Sequence, residues 1–409
     1  MDPSHRSRMV AVAALALILS SCSEPERTHR FQMQTAEGIV TAVTTGGPRW
    51  EGELFSYEME RELVQDPEVP ASLLSGRGGS VTMDAAGNHY VVDSGSCRIL
   101  VYDREGIYTR SFGGRGEGPG EFRSLSLQAH HGGVLQLWDA ARALTTLYAE
   151  EGTLLETIHA PDRRVQAQYR LAGGRLLRTS LHSRGAGRAD RDYVRDRMRA
   201  AVTDASGDTL AFFQTDEVIW GYNFADGRGS LFMFYGGSPI IRYLPGPDRV
   251  LLATGVDGEV RFCDLAGELR RLVRLDLPRT PVGPEGRRRI RDWVAEQAAL
   301  APQSPILRAQ QDELRIREHR AYWESLEYDD AGWMWLRVPE MNEEWRERDG
   351  GRYRVLSPQG AYLGDSRWPC YSGRVERGRL LTLVREPASG GPRALVYRIL
   401  PAVEGLTYP

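Results

Sequence analysis

An ungapped internal repeat constrains this chain more than any other feature. Residues 81–112 (VTMDAAGNHYVVDSGSCRILVYDREGIYTRSF) align with residues 127–158 (LQAHHGGVLQLWDAARALTTLYAEEGTLLETI) at an offset of 46 (127 − 81). Gly87 meets Gly133, Asp93 meets Asp139, Tyr102 meets Tyr148 and Gly106 meets Gly152. Val91, Val101 and Phe112 meet Leu137, Leu147 and Ile158. Each unit reads as four short strands. The first ends in a turn at Gly87, the second (HYVVD) runs to Asp93, the third (RILVYD) leads to a turn closed by Gly106, and the fourth is IYTRSF. Short strands punctuated by turn glycines indicate an antiparallel all-β protein. A repeat of about 40–50 residues with four strands per unit is the pattern of a β-propeller.

Weaker copies follow at 172–213, split by an arginine-rich loop, and at 247–275, 328–368 and 375–400. The count is six. The expected fold class is therefore all-β, a β-propeller of six four-stranded blades over residues 56–400, with a tail at 401–409.

The run GGRGEGPGEF (113–122) lies between the first two units. It fails as a phosphate loop. A dinucleotide loop, G-x-G-x-x-G, needs its third glycine at Pro119 or Glu121, and a P-loop starting at Gly113 needs lysine where Pro119 stands. The run is read instead as the joint from one blade to the next.

GRGEGPGEF, GNHYVVDSGSCRILVYDREG and DDAGWMWLRV resemble NHL-type repeats, and look most like those of bacterial six-bladed β-propeller lipoproteins. The resemblance covers most of residues 76–400 and is strongest in the first two units. It implies a propeller, but propellers of this type include binding scaffolds, lactonases and lyases, so it does not select a function.

Residues 284–320 break the pattern. Pro284 suits a first helical position, and Ile290, Trp293, Val294 and Ala298 share one helical face. A second helix is expected to carry Ile306, Leu307, Leu314 and Ile316. The two form an insert between blades, packed on one face of the disc or over its channel. The stretch 182–199, with arginines mixed among Asp190, Asp192 and Asp196, reads as a solvated loop or short helix.

The N-terminus reads as an export signal. His5, Arg6 and Arg8 precede an apolar run, Met9 to Leu19, too short to span a bilayer. Leu19-Ser-Ser-Cys22 follows and resembles the lipobox of bacterial lipoproteins. That implies a signal peptide at 1–21, acylation at Cys22, and attachment to the membrane by the lipid anchor alone. Ser23 after the cysteine is similar to the pattern of lipoproteins sorted to the outer membrane, which implies its periplasmic face. Residues 22–55 are expected to form a tether that can also supply a closing strand. Cys97, Cys263 and Cys370 remain, an odd number that leaves at least one unpaired. The formal net charge of −3 gives no bulk attraction to nucleic acid.

Few residues suggest chemistry. His130–His131 align with the turn at Asp84 and Ala85 and are read as turn residues. His89 stands alone on a strand. Asp93 and Asp139 share one repeat position and are read as turn carboxylates, with a ligand-binding role at the channel mouth as the alternative. Trp220 and Tyr222 are candidates for a surface pocket, and Trp335 and Arg337 complete the ligand-binding candidates. Aromatics with arginine are common hot-spot types. No catalytic residue, metal ligand or cofactor is assigned. The expected function is a non-catalytic binding or scaffolding module of the cell envelope for a protein, peptide or glycan. The alternatives are a lactonase or lyase that uses a divalent metal on the axis, and a purely structural envelope component. A Cys22→Ser variant is expected to incorporate no radiolabelled fatty acid and to leave the membrane fraction, which labelling and fractionation will check.

Overall fold

Strands such as HYVVD and RILVY carry apolar side chains at consecutive positions, so neither of their faces can be left to water. A computed structural model shows how both are covered. It describes residues 28–75, 78–161, 163–184, 193–223, 230–232, 238–340, 350–385 and 391–409. Residues 1–21, read from sequence as a signal peptide, Cys22 and the tip of the arginine-rich stretch lie outside the described residues.

Six sheets stand around an axis, each packing a face on the next. Blade 1 is Gly79–Met83, His89–Asp93, Arg98–Tyr102 and Tyr108–Gly113, paired in that order from the axis outward. Its two middle strands are almost wholly buried, while its outermost strand alternates between half-buried and exposed. Blade 2 spans residues 126–159, blade 3 residues 165–214, blade 4 residues 240–276 and blade 5 residues 325–367. Separate apolar cores fill the gaps. Val92, Ile99, Leu135 and Leu137 pack between blades 1 and 2. Trp335, Tyr353, Trp368 and Leu380 pack between blades 5 and 6, with the Tyr353 and Trp368 rings stacked at 3.8 Å. The repeat thus codes for interfaces, since every blade needs a neighbour on each side to bury both faces.

Blade 6 needs a strand from the other end of the chain. Its sheet runs Arg374–Glu376, Arg379–Arg385, Pro392–Pro401 and then Phe55–Leu63. The ladder holds Leu63 opposite Ala394 and Phe55 opposite Pro401. Glu60 pairs with Arg379 at 2.9 Å, and Glu62 pairs with Arg393 beside it. The segment expected to be a tether is more ordered than that. Arg30–Ala36 and Ile39–Thr45 form a hairpin added in parallel to Leu269–Asp276, the outer strand of blade 4. The closing strand begins where the tether was expected to end. The C-terminal residues also pack. Tyr408 lies 5.0 Å from the Trp333 ring and 5.1 Å from Phe55.

The joint between blades 1 and 2 answers the phosphate question directly. The backbone N–H of Gly118 donates to the Glu121 carboxylate at 2.8 Å, so the loop binds its own anion. Phe122 closes it, fully buried in the core between blades 1 and 2.

Other expectations need correction. The arginine-rich stretch is largely β. Leu176–Arg184 and Tyr193–Thr203 pair along their length, with His182 opposite Arg197, because a hairpin satisfies the backbone groups that a loop would leave to water. In the insert, α1 (Pro284–Leu300) buries Ile290, Val294 and Ala298 as expected. The second helix, α2 (Pro305–Asp312), is shorter than expected. Leu314 and Ile316 follow it outside any helix and pack on Val282, Ile290 and Val294. The chain then returns to a neck where Pro281 bridges His319. Cys97, Cys263 and Cys370 are all free and buried.

The insert has its own small core and a closed neck. Deleting residues 284–316 and rejoining the neck with a short Gly-Ser linker is therefore expected to keep the β-rich far-UV circular dichroism and a cooperative melt. Leu63→Ala, in the closing strand, is expected to lower stability by about 3 kcal/mol in denaturant titration.

Candidate functional site in the axial cavity

The first strands of the six units face the axis. They enclose a cavity of about 1160 Å³ whose lining includes Ser80, Gln128, Tyr169, Arg242, Glu327 and Arg374, one residue from each blade. It opens among the turns that follow those strands, past His131, Pro245 and Asp330.

Several of its charged side chains bond across blades. Arg242 of blade 4 makes a two-pronged bond to Glu327 of blade 5, at 2.9 and 3.2 Å. Glu327 holds the Arg242 guanidinium well above its ordinary pKa. On the neighbouring wall, Glu376 of blade 6 accepts from the Met83 N–H at 2.9 Å, contacts the Thr82 hydroxyl at 2.9 Å and pairs with Arg374. Thr82 also lies 3.0 Å from Nδ1 of His130, whose Nε2 is 2.9 Å from Glu150. The His130 ring packs edge-on against Tyr90 at 5.2 Å.

This chain must share one hydroxyl proton. Glu150 accepts, so Nε2 of His130 carries a hydrogen. Burial lowers the pKa of His130, which favours the neutral ring and leaves Nδ1 bare. Thr82 then donates to His130. When the ring is charged, Nδ1–H donates to Thr82, and the hydroxyl turns to Glu376. Blades 1, 2 and 6 are joined in either arrangement. Thr82 is fully buried and is not presented to a ligand as a nucleophile.

Asp329 stands at the mouth, in the turn of blade 5. It accepts from the Trp333 N–H at 2.7 Å, from Tyr408 Oη at 2.8 Å and from Trp335 Nε1 at 3.2 Å. Burial nevertheless raises its pKa from the ordinary aspartate value to about 6. Among the described residues, no three His, Cys, Asp or Glu side chains converge to hold a metal ion.

The residues singled out from sequence do not gather here. Asp93 accepts from the Ser75 N–H at 2.9 Å and from Ser96 Oγ at 2.7 Å. Asp139 accepts from the Arg123 and Ser124 N–H groups at 2.7 and 3.1 Å. Both tie the segment entering a blade to that blade, and neither lines the cavity. Trp335 is buried between blades 5 and 6. Arg337 pairs with Glu324 at 2.9 Å and lies 3.8 Å over the Tyr371 ring. Trp220 and Tyr222 belong to the strand Val218–Asn223, with side chains outside the described residues.

His130 and His131 are not turn residues. Their strand, Ser126–His131, runs further than its counterpart in blade 1, and Gly132–Gly133 make the turn with φ of 60° and 78°. Two consecutive positive φ values are the signature of a two-residue hairpin. The Gly-Gly pair signalled that turn in the sequence. Arg242, Glu327, Arg374 and Glu376 were missed because their inner strands lie in the units where the repeat is faint. The available signal was charge within a short strand otherwise rich in apolar residues, such as IIRYL.

No family model matches the chain, and no curated protein matches it. Solved structures do. One is a protein described as exported, from Bacteroides fragilis, at 12% identity over 88% of this chain and 99% of that one, with a TM-score of 0.50. Another is a DUF4221 member from Bacteroides vulgatus, at 10% identity over 86% and 100%, with a TM-score of 0.48. A streptogramin B lyase aligns at 11% identity over 80% of each chain, with a TM-score of 0.37. What the Bacteroides fragilis protein shares with this chain is the fold. This chain is a six-bladed β-propeller. No helix among its described residues is long and apolar enough to cross a membrane.

The raised pKa of Asp329 predicts a pH dependence. The native state holds a proton there that the unfolded chain releases near pH 4, so this group's contribution falls as pH rises from about 4 to 6. Asp329→Asn is therefore expected to gain up to about 3 kcal/mol on wild type across that window. Denaturation at several pH values will measure the gain. A hydrogen bond lost in the variant offsets both ends equally.

Proposed function

We propose that the protein is a non-catalytic binding propeller of the bacterial envelope that takes its ligand into the axial cavity. The carrying observation is the cavity itself, large enough for a peptide or sugar segment and walled by charges of both signs, several of them matched to one another. Ligand pockets are concave and present a few fixed polar groups for orientation. Here Arg242–Glu327 and, on the neighbouring strand, Arg374–Glu376 offer both donors and acceptors at fixed positions. Such a lining suits a ligand with donors and acceptors of its own, a peptide or glycan segment, free or part of a partner. The exposed groups at the mouth, rather than the buried Thr82, would meet it first.

Export by the N-terminal signal, acylation at Cys22 and residence on the periplasmic side of the outer membrane belong to the same proposal. The support is the Leu19–Cys22 pattern and the resemblance of the first two blades to NHL-type lipoproteins.

The test uses the purified full chain on peptide and glycan arrays, with wild type beside Arg242→Met and Gln128→Trp. Gln128→Trp adds bulk to the cavity wall without breaking an ion pair. Binding that both variants weaken by tenfold or more is the expected result. Binding indifferent to both would overturn the cavity as the site. Turnover of a lactone or lyase substrate panel that chelation abolishes would overturn the non-catalytic reading.

A further inference from the structure

The closing seam holds a second recess, which borders the axial cavity and shares Met83, Asp84, Ala85 and Arg377 with its lining. Where blade 6 meets blade 1, a groove of about 530 Å³ is bounded by the closing strand, by the turn at Arg377–Arg379 and by the turns of blade 1. Four guanidiniums line it, from Arg61, Arg104, Arg377 and Arg379, against three carboxylates, Glu60, Asp84 and Glu105. Each carboxylate is engaged by a neighbour. Glu60 holds Arg379 at 2.9 and 3.2 Å, Glu105 holds Arg104 at 2.7 Å, and Asp84 accepts from Asn88 and Tyr90. The side chains of Arg61 and Arg377 pair with no carboxylate among the described residues.

His89 forms the buried side of this groove, 1% exposed. Its Nδ1 lies 3.3 Å from the Asp103 carbonyl oxygen. A carbonyl only accepts, so Nδ1 carries the hydrogen and Nε2 is a bare acceptor. That Nε2 is buried and has no partner. An unpaired buried polar atom costs about 1–3 kcal/mol, and native structures seldom leave one without a reason. The ring feels Arg61, Arg379 and Asp84, all lining residues of the groove, and burial with the two guanidiniums opposes its protonation.

We infer that this groove is a binding site for a small anion that also carries a hydroxyl donor, hydrogen phosphate being the simplest. The uncommitted guanidiniums of Arg61 and Arg377 supply the charge-assisted donors that an oxyanion takes. The bare Nε2 accepts the ligand's O–H. Sulfate has the charge without the hydrogen, and faces Nε2 lone pair to lone pair until His89 is protonated. The site lies across the seam, so an occupant would join the closing strand to blade 1 and raise the melting temperature with its concentration.

Calorimetric titration of the full chain with inorganic phosphate, sulfate, gluconate and acetate tests this. At about pH 8, saturable binding of phosphate or gluconate is expected, with sulfate and acetate weaker by about tenfold. Which of the first two binds tells a phosphate from a hydroxy-carboxylate. The double variant Arg61→Gln, Arg377→Gln should weaken binding by tenfold or more, and His89→Phe should remove the preference over sulfate. Should His89→Phe fail to fold, the arginine variant and the wild-type preference still decide. The inference is overturned if neither phosphate nor gluconate binds saturably, if sulfate binds as well as the one that does, or if the arginine variant binds as wild type does.

Discussion

The ladder between Phe55–Leu63 and Pro392–Pro401 is the interaction on which the rest of the structure depends. Every blade buries its two faces on its neighbours, so the ring has no surplus cover to lose. Without the closing strand, blade 6 would offer an open sheet edge and blade 1 would lose a wall. The contact joins segments more than three hundred positions apart, and loop-closure entropy grows only slowly with such length. The strand pairing, the buried Leu63 and the Glu60–Arg379 and Glu62–Arg393 pairs oppose that entropy. The C-terminal residues reinforce the neighbouring interface, where Tyr408 joins Phe55 of the closing strand to Asp329 and Trp333 of blade 5.

The same geometry explains the two recesses. Six inner strands leave a lumen too narrow for a second core and too enclosed for isolated charges. A buried charge needs a partner, and Arg242, Glu327 and Glu376 find theirs on neighbouring strands. Arg242 meets Glu327 across blades 4 and 5, and Glu376 meets Thr82 and Met83 across blades 6 and 1. These bonds fix the angular position of one blade against the next while presenting polar groups to the lumen. The groove at the seam differs. There His89 Nε2 has no protein partner, and two guanidiniums are uncommitted. Matched charges suit orientation of a polar ligand, whereas unmatched donors and a bare acceptor suit capture of an anion.

Much of the fold was legible because the repeat acts locally. Asp84, Asp103 and Asp139 accept backbone N–H groups within a few residues, and Gly87, Gly106, Gly133 and Gly152 all take positive φ. Those turns are decided inside a unit, so a unit can be read from its own sequence. The boundaries of the first two blades followed, as did the joint at Gly113–Phe122 and the first helix of the insert, whereas the units read at 172–213 and 247–275 began after the inner strands Val165–Arg170 and Ile240–Leu244. The cavity was hardly legible. Its residues come from first strands, whose partners lie in other blades, and those strands are short and weakly patterned in blades 3 to 6. Asp93 and Asp139 stood out because they recur, but what recurs here serves the joint common to blades, while the lining differs from blade to blade.

The sequence alone determined the all-β class, the four-strand unit and the place of the insert, because turn chemistry and apolar runs are properties of neighbouring residues. Only the tertiary structure decided which strand closes the ring, which charges meet across the lumen, and that His130 sits in a proton-sharing chain rather than in a turn. Those outcomes depend on residues tens to hundreds of positions apart. Their proximity follows from packing six sheets around one axis, and no local pattern encodes it.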